Sequence, residues 1–259
     1  MQSLNRATAV ALILFAAGLV GMALQWVMPT DVISQSKATV GAMTGVVALL
    51  LALVLGLLVF TAFSVFTTQQ SEAYSLAPII VEIDLAFELY GPEAARGRAN
   101  LRGALERARV RFFGDAKQGP EPFTLEQMRM IFQGQGAFFD SLKPTTDTQR
   151  SLLATAKDGA RKLADTQMLM AQQIANPFPP YVLTVVICWA SALFLGNGLI
   201  GPPNVLTVLA HFVGAAAIAI AIFLILELSS PYTGLLRLSP AGLDRVLQML
   251  AEAQAKAPE

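Results

Sequence analysis

His211 is the only histidine in the chain, and it lies in an apolar stretch among Leu, Ala, Phe and Val residues. If that stretch crosses a membrane, an ionisable side chain inside it is a candidate for a pore or a proton path. No second histidine and no nearby carboxylate accompany it there. The pattern therefore favours the simpler alternative, a neutral imidazole hydrogen-bonded to a neighbouring helix.

Charged side chains gather just after the most apolar part of the chain. Asp84 and Glu88 form a like-charge pair at helical spacing, and residues 93–117 hold six Arg and one Lys against three acids. The acids could form a ring at the mouth of an oligomeric pore or meet the basic helix, and the second alternative is favoured. The basic helix could draw anions into a vestibule, or it could contact lipid headgroups or form intrachain salt bridges. The candidate residues of a cytosolic mouth are Glu82, Asp84, Arg98 and Arg102.

The sequence patterns of enzymes are missing from the chain. It contains no nucleophile elbow, P-loop or dinucleotide fingerprint, and no set of His and carboxylate residues at metal-ligand spacing. Cys188 is the only cysteine and lies in an apolar run, which excludes an intrachain disulfide. We therefore expect no enzyme activity, no metal and no other cofactor.

Residues 39–66 form the longest stretch without Asp, Glu, Lys, Arg, His, Asn or Gln, and the rest of the chain is organised around them. About 20 apolar residues already span a bilayer as a helix. One stripe of this helix carries small residues and ends in bulky ones, and small residues let membrane helices approach closely. The stripe therefore predicts a protein neighbour or a pore axis. Its pore-lining or constriction candidates are Gly45, Ala52, Gly56, Phe63 and Phe66.

The whole chain has the composition of a membrane protein. Hydrophobic residues make up 54% and charged residues 14% of it, and the mean hydropathy is +0.56. We predict an all-α polytopic fold with four transmembrane helices and a cytosolic helical insertion between the second and third. The predicted spans are residues 7–28, 39–66, 181–196 and 205–228. The predicted domains are a transmembrane hairpin (1–66), a cytosolic helical domain (67–177), a second transmembrane pair (178–228) and a cytosolic tail with a short amphipathic helix (229–259).

Basic residues predict the orientation of the spans. The N-terminal stub, the insertion and the tail contain 1, 13 and 3 Lys plus Arg, whereas the two short links contain one, Lys37. Because basic segments stay on the cytoplasmic side, both termini and the insertion should face the cytoplasm. The net charge of zero gives no reason to expect nucleic acid as a partner.

Two stretches carry a resemblance to a known family. In the first, residues 66–113, an apolar helix continues to the break Leu89-Tyr90-Gly91-Pro92 and is followed by an Arg-rich helix. The second contains Pro203-Asn204, residues 224–228 and a tail motif in residues 231–240. This layout resembles the bacterial bestrophin-like membrane family, which is similar to the bestrophin anion channels. Positions of its motifs are Asn204, Pro231 and Gly234. Ser229-Ser230 departs from the Asp-Pro that the family tends to have, and the tail lacks an acidic cluster like a calcium clasp.

The resemblance implies a homo-oligomer, a pentamer in bestrophins, in a bacterial inner membrane. It implies a channel for small anions such as chloride, with the second transmembrane helix lining the pore; the carboxylates near the span leave a cation channel open. The lipid bilayer, small ions and further copies of the chain would be its partners. Phe63 and Phe66 would either close the pore or pack between helices.

The rival hypothesis is a non-conducting membrane scaffold or sensor whose cytosolic helices bind a partner.

Overall fold

The computed structural model describes residues 2–114, 124–175, 180–232 and 235–256, and within these residues the regular structure is entirely helical. This confirms the predicted fold class. The helices are α1 (Gln2–Leu24), α2 (Thr30–Tyr90), a 3-10 turn (Pro92–Ala94), α3 (Ala95–Phe113), α4 (Leu125–Ser141), α5 (Asp147–Ala175), α6 (Pro180–Ile200), α7 (Val205–Leu228) and α8 (Ala241–Lys256).

The chain divides into two compact units, and the boundary between them falls inside α2. The membrane unit comprises Met1–Phe66 and Phe178–Ser229, and the helical unit comprises Thr67–Pro177 and Ser230–Glu259. In the described ranges, four helices are long and apolar enough to cross a membrane, as predicted: α1, α2, α6 and α7. Their side chains are largely apolar on the outside, which suits a lipid solvent.

Two links between spans are shorter than predicted. Residues 30–38 are helical and belong to α2, because neither Gly nor Pro interrupts them and Asp31 lies in the first turn. The third span continues past residue 196 to Ile200, since Gly196 and Gly198 lie against neighbouring helices. The sequence allows either a kink or a break at Pro78, and α2 continues through this proline without a break.

Glycines bring α1 and α6 into backbone contact. A side chain on Gly21 would overlap the Leu195 carbonyl oxygen, and one on Gly198 would overlap the Gly18 carbonyl oxygen. The Gln25 amide donates to the carbonyl oxygen of Gly198 at 2.7 Å, and so joins the end of α1 to the same helix. In lipid, such close packing replaces the hydrophobic effect as the force that holds helices together.

Helix α2 contributes one narrow face to the core of the membrane unit. Leu51, Leu58 and Ala62 are buried there against residues of α1, α6 and α7. These partners include Leu14 and Ile222, which are fully buried. Most other apolar side chains of α2 within this unit are exposed.

Local signals in the sequence explain the helix ends of the helical unit. Gly91 follows α2 with a φ of 122°, a conformation that favours glycine. The residue types and spacing of Thr124 and Gln127 predict a capping box, and the two residues form one at the start of α4. The sequence offers Asp147 or Thr148 as the cap of α5. The structure shows Thr146 instead, because its hydroxyl accepts the backbone N–H of Gln149 at 3.1 Å.

Candidate functional site

Two glycines of the small-residue stripe of α2, Gly45 and Gly56, are not used for packing inside the membrane unit. Gly45, Ala52 and Gly56 are exposed, and a side chain built on either glycine would meet no described atom within 4 Å. The buried face of α2, represented by Leu51 and Leu58, lies to one side of this stripe. The two glycines are therefore available to another molecule or to solvent, whereas Ala52 borders a cavity within the unit.

The two aromatic residues at the end of the stripe differ in exposure. Phe63 is 53% exposed, whereas Phe66 is half-buried. Phe63 therefore makes few packing contacts within the subunit. Its role as a constriction stays a prediction, as does that of Phe66.

Asp84 of α2 and Arg98 of α3 form a bidentate ion pair in the helical unit. The Arg98 Nε and Nη2 groups donate to the two Asp84 carboxylate oxygens, each at 2.8 Å. Their side chains are only 9% and 11% exposed. Arg98 also lies 3.2 Å from the Glu88 carboxylate, and so it bridges two acids that would otherwise repel each other. The hydrogen bond to Asp84 is the main reason that the pKa of Arg98 is raised.

The other two mouth candidates, Arg102 and Glu82, have other neighbours in the described part of the chain. Arg102 bonds to Glu106 at 3.1 Å within its own helix, on an exposed surface. Glu82 is exposed. The nearest sign of an interaction is at Lys162: its pKa is raised chiefly by its hydrogen bond to Asp158, and the charge of Glu82 makes a smaller contribution. Of the four candidates, the structure therefore brings together Asp84 and Arg98.

Among the described residues, His211 bonds to its own helix and not to a neighbouring one, which corrects the predicted partner. Its Nδ1 lies 2.8 Å from the Thr207 carbonyl oxygen, so Nδ1 carries the proton in this hydrogen bond. Its Nε2 is buried and has no hydrogen-bond partner among the described residues. The ring lies where a side chain on Gly18 would be, and it meets Phe194 edge to face at 5.7 Å.

A cavity of about 530 Å³ lies beside His211, between α2, α6 and α7. Its lining is apolar apart from His211 and Asn197. Ala48 and Ala52 of α2 form part of the wall. The sequence could not reveal this cavity because its walls come from three helices that are distant along the chain.

Glu227 is a buried carboxylate that the sequence analysis noted only as part of a motif. It is 2% exposed near the end of α7, and the Ser3 hydroxyl donates a hydrogen bond to it. A single acid at the end of an apolar span is the signal that could have identified it, since a charge there requires a partner.

The family-motif positions that lie among the described residues have structural roles. The Asn204 side chain caps α7 by accepting the Thr207 N–H at 2.8 Å. The Pro231 carbonyl accepts the Leu238 N–H at 2.7 Å, shortly before α8 begins. Gly234 lies outside the described residues.

Tyr232, within the same motif, is buried against Phe112 and Phe113 of α3 at ring distances of 6.0 and 5.9 Å. Its hydroxyl has no hydrogen-bond partner among the described residues. Burial, with a smaller contribution from the charge of Glu72, raises the pKa of Tyr232 well above its ordinary value. Tyr232 therefore anchors the tail to α3 as a neutral side chain.

Four apolar spans together with a helical unit define a multi-pass membrane protein. Residues 10–243 match the Bestrophin-like domain. The chain therefore belongs to the bestrophin-like family, which confirms the resemblance seen in its motifs. No curated protein and no solved structure gives a significant match to the chain.

Proposed function

We propose that this chain is a subunit of a homo-oligomeric ion channel, with α2 nearest the pore axis. The observation that carries the proposal is the exposed stripe of Gly45, Ala52 and Gly56 in a chain of the bestrophin-like family. Because small residues permit close approach of helices, copies of α2 could surround a common axis. Phe63 would narrow the path where the stripe ends, since hydrophobic constrictions can gate by dewetting.

Chloride or another small anion is the proposed permeant ion. Asp84 and Glu88 are both paired with Arg98, which weakens the case for an acidic ring that attracts cations. In the described part of the chain, Arg96 and Arg107 are exposed and form no ion pair, so α3 keeps a positive surface. Such a surface raises the local concentration of anions.

Planar bilayers with a KCl gradient test conduction and selectivity together. We expect currents that reverse near the chloride equilibrium potential. Reversal near the potassium potential would replace the anion assignment with a cation channel, and silent bilayers over many preparations would contradict the channel proposal.

Two tryptophan substitutions test which face of α2 lines the path. Gly56→Trp adds bulk to the stripe, whereas Leu57→Trp adds it about 100° around the helix, where the native side chain is already exposed. We expect Gly56→Trp to reduce the current strongly and Leu57→Trp to leave it nearly unchanged. Equal effects of both substitutions would argue against the stripe as the pore lining.

A non-conducting scaffold or sensor is the second candidate, favoured by a large cavity in the helical unit. Native mass measurement in mild detergent discriminates the two. A closed ring, expected to be a pentamer from the bestrophin resemblance, supports the channel. A monomer has too few helices to enclose a pore, and it would support the scaffold.

The proposed location is a bacterial inner membrane, with both termini in the cytoplasm. The support is the distribution of basic residues, which are concentrated in the stub, insertion and tail.

A further inference from the structure

The helical unit contains a cavity of about 630 Å³, and its main walls are α3 and α4. These two helices are antiparallel. At one end Arg111 of α3 reaches Gln127 at the start of α4, and at the other end Gly97 lies against Phe138 near the end of α4. From residue 97 to residue 111, α3 covers about 21 Å at about 1.5 Å per residue. The cavity is therefore elongated, with two distinct ends.

The electrostatics of the cavity favour an anion. Arg96, Arg107 and Arg111 line it, and the described lining residues include no Asp or Glu. The other polar groups of the lining are side-chain amides, from Asn100, Gln127, Gln135 and Gln167. Arginine at such a site offers several N–H donors to a carboxylate or phosphate.

The end opposite Arg111 is aromatic. Phe87 meets Phe138 at 5.7 Å and Phe139 at 6.1 Å between ring centroids. Gly97 of α3 is buried against these rings, and a larger residue there would overlap Phe138. Arg96 lines the same end beside Gly97, and arginine stems can lie along apolar surface. This end can therefore cover an apolar body.

We propose that this cavity binds an amphiphilic organic anion with an elongated apolar body, of which a medium-chain fatty acid is the simplest example. Its carboxylate lies between Arg107 and Arg111, and its tail extends along α3 towards Phe87 and Phe138. The volume falls within the range of about 300 to 1,000 Å³ that is common for small-molecule sites. The ligand can come from solution or from the membrane, because both sources supply the same chemistry. This binding site does not depend on whether the protein conducts ions.

Photolabelling of the full chain in lipid nanodiscs tests the proposal. The probe is dodecanoate with a diazirine near its methyl end, and the labelled peptides are identified by mass spectrometry. We expect labelling of α3 or α4 near Gly97 and Phe138, because the tail ends there. Unlabelled dodecanoate should compete, whereas dodecanol, which lacks the charge, should compete about tenfold less well. Labelling confined to the spans α1, α6 and α7 would overturn the proposal.

Paired variants separate the cavity from the rest of the helical unit. Arg107→Gln removes a lining charge, and Arg129→Gln removes an exposed charge of α4 that does not line the cavity. We expect Arg107→Gln to reduce labelling about tenfold and Arg129→Gln to leave it unchanged.

A second pair of variants tests the shape of the cavity without changing its charge. Gly134 lines the cavity and Gly136 does not, although both glycines are exposed with open space around them. Gly134→Leu should block labelling, and Gly136→Leu should not. Thermal melting of each variant reports its folding. Equal labelling of Gly134→Leu and Gly136→Leu, with both folded, would overturn the site.

Discussion

At the scale of single residues, Arg98 is the side chain whose loss should cost the helical unit most. It holds Asp84 and Glu88 together, and Asp84 is buried. Arg98→Ala would leave a buried carboxylate without its cation, so we expect a loss of about 2 to 4 kcal/mol in the free energy of unfolding. Chemical denaturation in detergent, followed by circular dichroism, measures this loss.

Two control variants show whether the loss in Arg98→Ala arises from breaking the ion pair. Arg98→Lys keeps the charge without the two-pronged contact, and it should recover part of the loss. Arg102→Ala breaks an exposed pair within α3 and should cost about 1 kcal/mol or less. Equal losses for Arg98→Ala and Arg102→Ala would contradict the importance of burial.

Tyr232 predicts a pH dependence of stability. Because burial raises its pKa, the folded state keeps the phenol neutral while the unfolded chain ionises above about pH 10. The ionisation of Tyr232 therefore leaves the free energy of unfolding unchanged below about pH 10 and lowers it as the pH rises above that value. Tyr232→Phe should remove this alkaline loss. It should also stabilise the neutral-pH fold by about 1 kcal/mol, because it removes a buried hydroxyl that has no described partner.

Melting temperatures of wild type and Tyr232→Phe between pH 7 and 11 provide the measurement. Tyr74→Phe is the control, because Tyr74 is exposed. Parallel pH curves for wild type and Tyr232→Phe would show that another group controls the alkaline loss.

At the scale of helices, the glycines of α1 and α2 should respond differently to the same substitution. Gly21→Ala would push α1 away from the α6 backbone, with an expected loss of about 1 to 3 kcal/mol. Gly45→Ala meets open space and should stabilise α2 within the subunit by about 0.5 to 1 kcal/mol. Melting curves from fluorescence-detected gel filtration compare the two. If Gly45→Ala changes only the oligomer peak, the stripe contacts other subunits.

The end of the α2 stripe provides a test of the constriction. Phe63 is exposed, so Phe63→Ala should leave the subunit folded and raise the single-channel conductance. Phe60→Ala is the matched control, because Phe60 is also exposed but lies about 60° away around the helix. Intact oligomers with unchanged conductance in Phe63→Ala would refute the constriction.

At the scale of the whole molecule, the proposed orientation places both termini in the cytoplasm. A fluorescent protein that folds only in the cytoplasm should therefore be bright when fused to either end. An alkaline phosphatase fusion in the link between α1 and α2, near Pro29, should be active because that link faces outward. The opposite result at both sites would invert the topology.

Local chemistry made much of this fold predictable. Long apolar runs identified all four spans, and the Thr124 capping box and the Gly91 break identified helix ends. The sequence favoured contact between the acids and the basic helix over an acidic ring, but spacing could not show that Asp84 in particular pairs with Arg98. Neither cavity was predictable, since each is formed by residues from several helices and depends on side-chain volumes across them.

The contact between Gln25 and Gly198 has a consequence for how the protein is made. The two residues are separated by 173 positions in the chain. At about 5 to 20 residues per second, a ribosome needs roughly 9 to 35 s to synthesise that intervening length. During this interval α1 has been synthesised, whereas α6, against which the glycines of α1 pack, has not. The nascent α1 must therefore be sheltered by lipid or by the insertion machinery until α6 emerges.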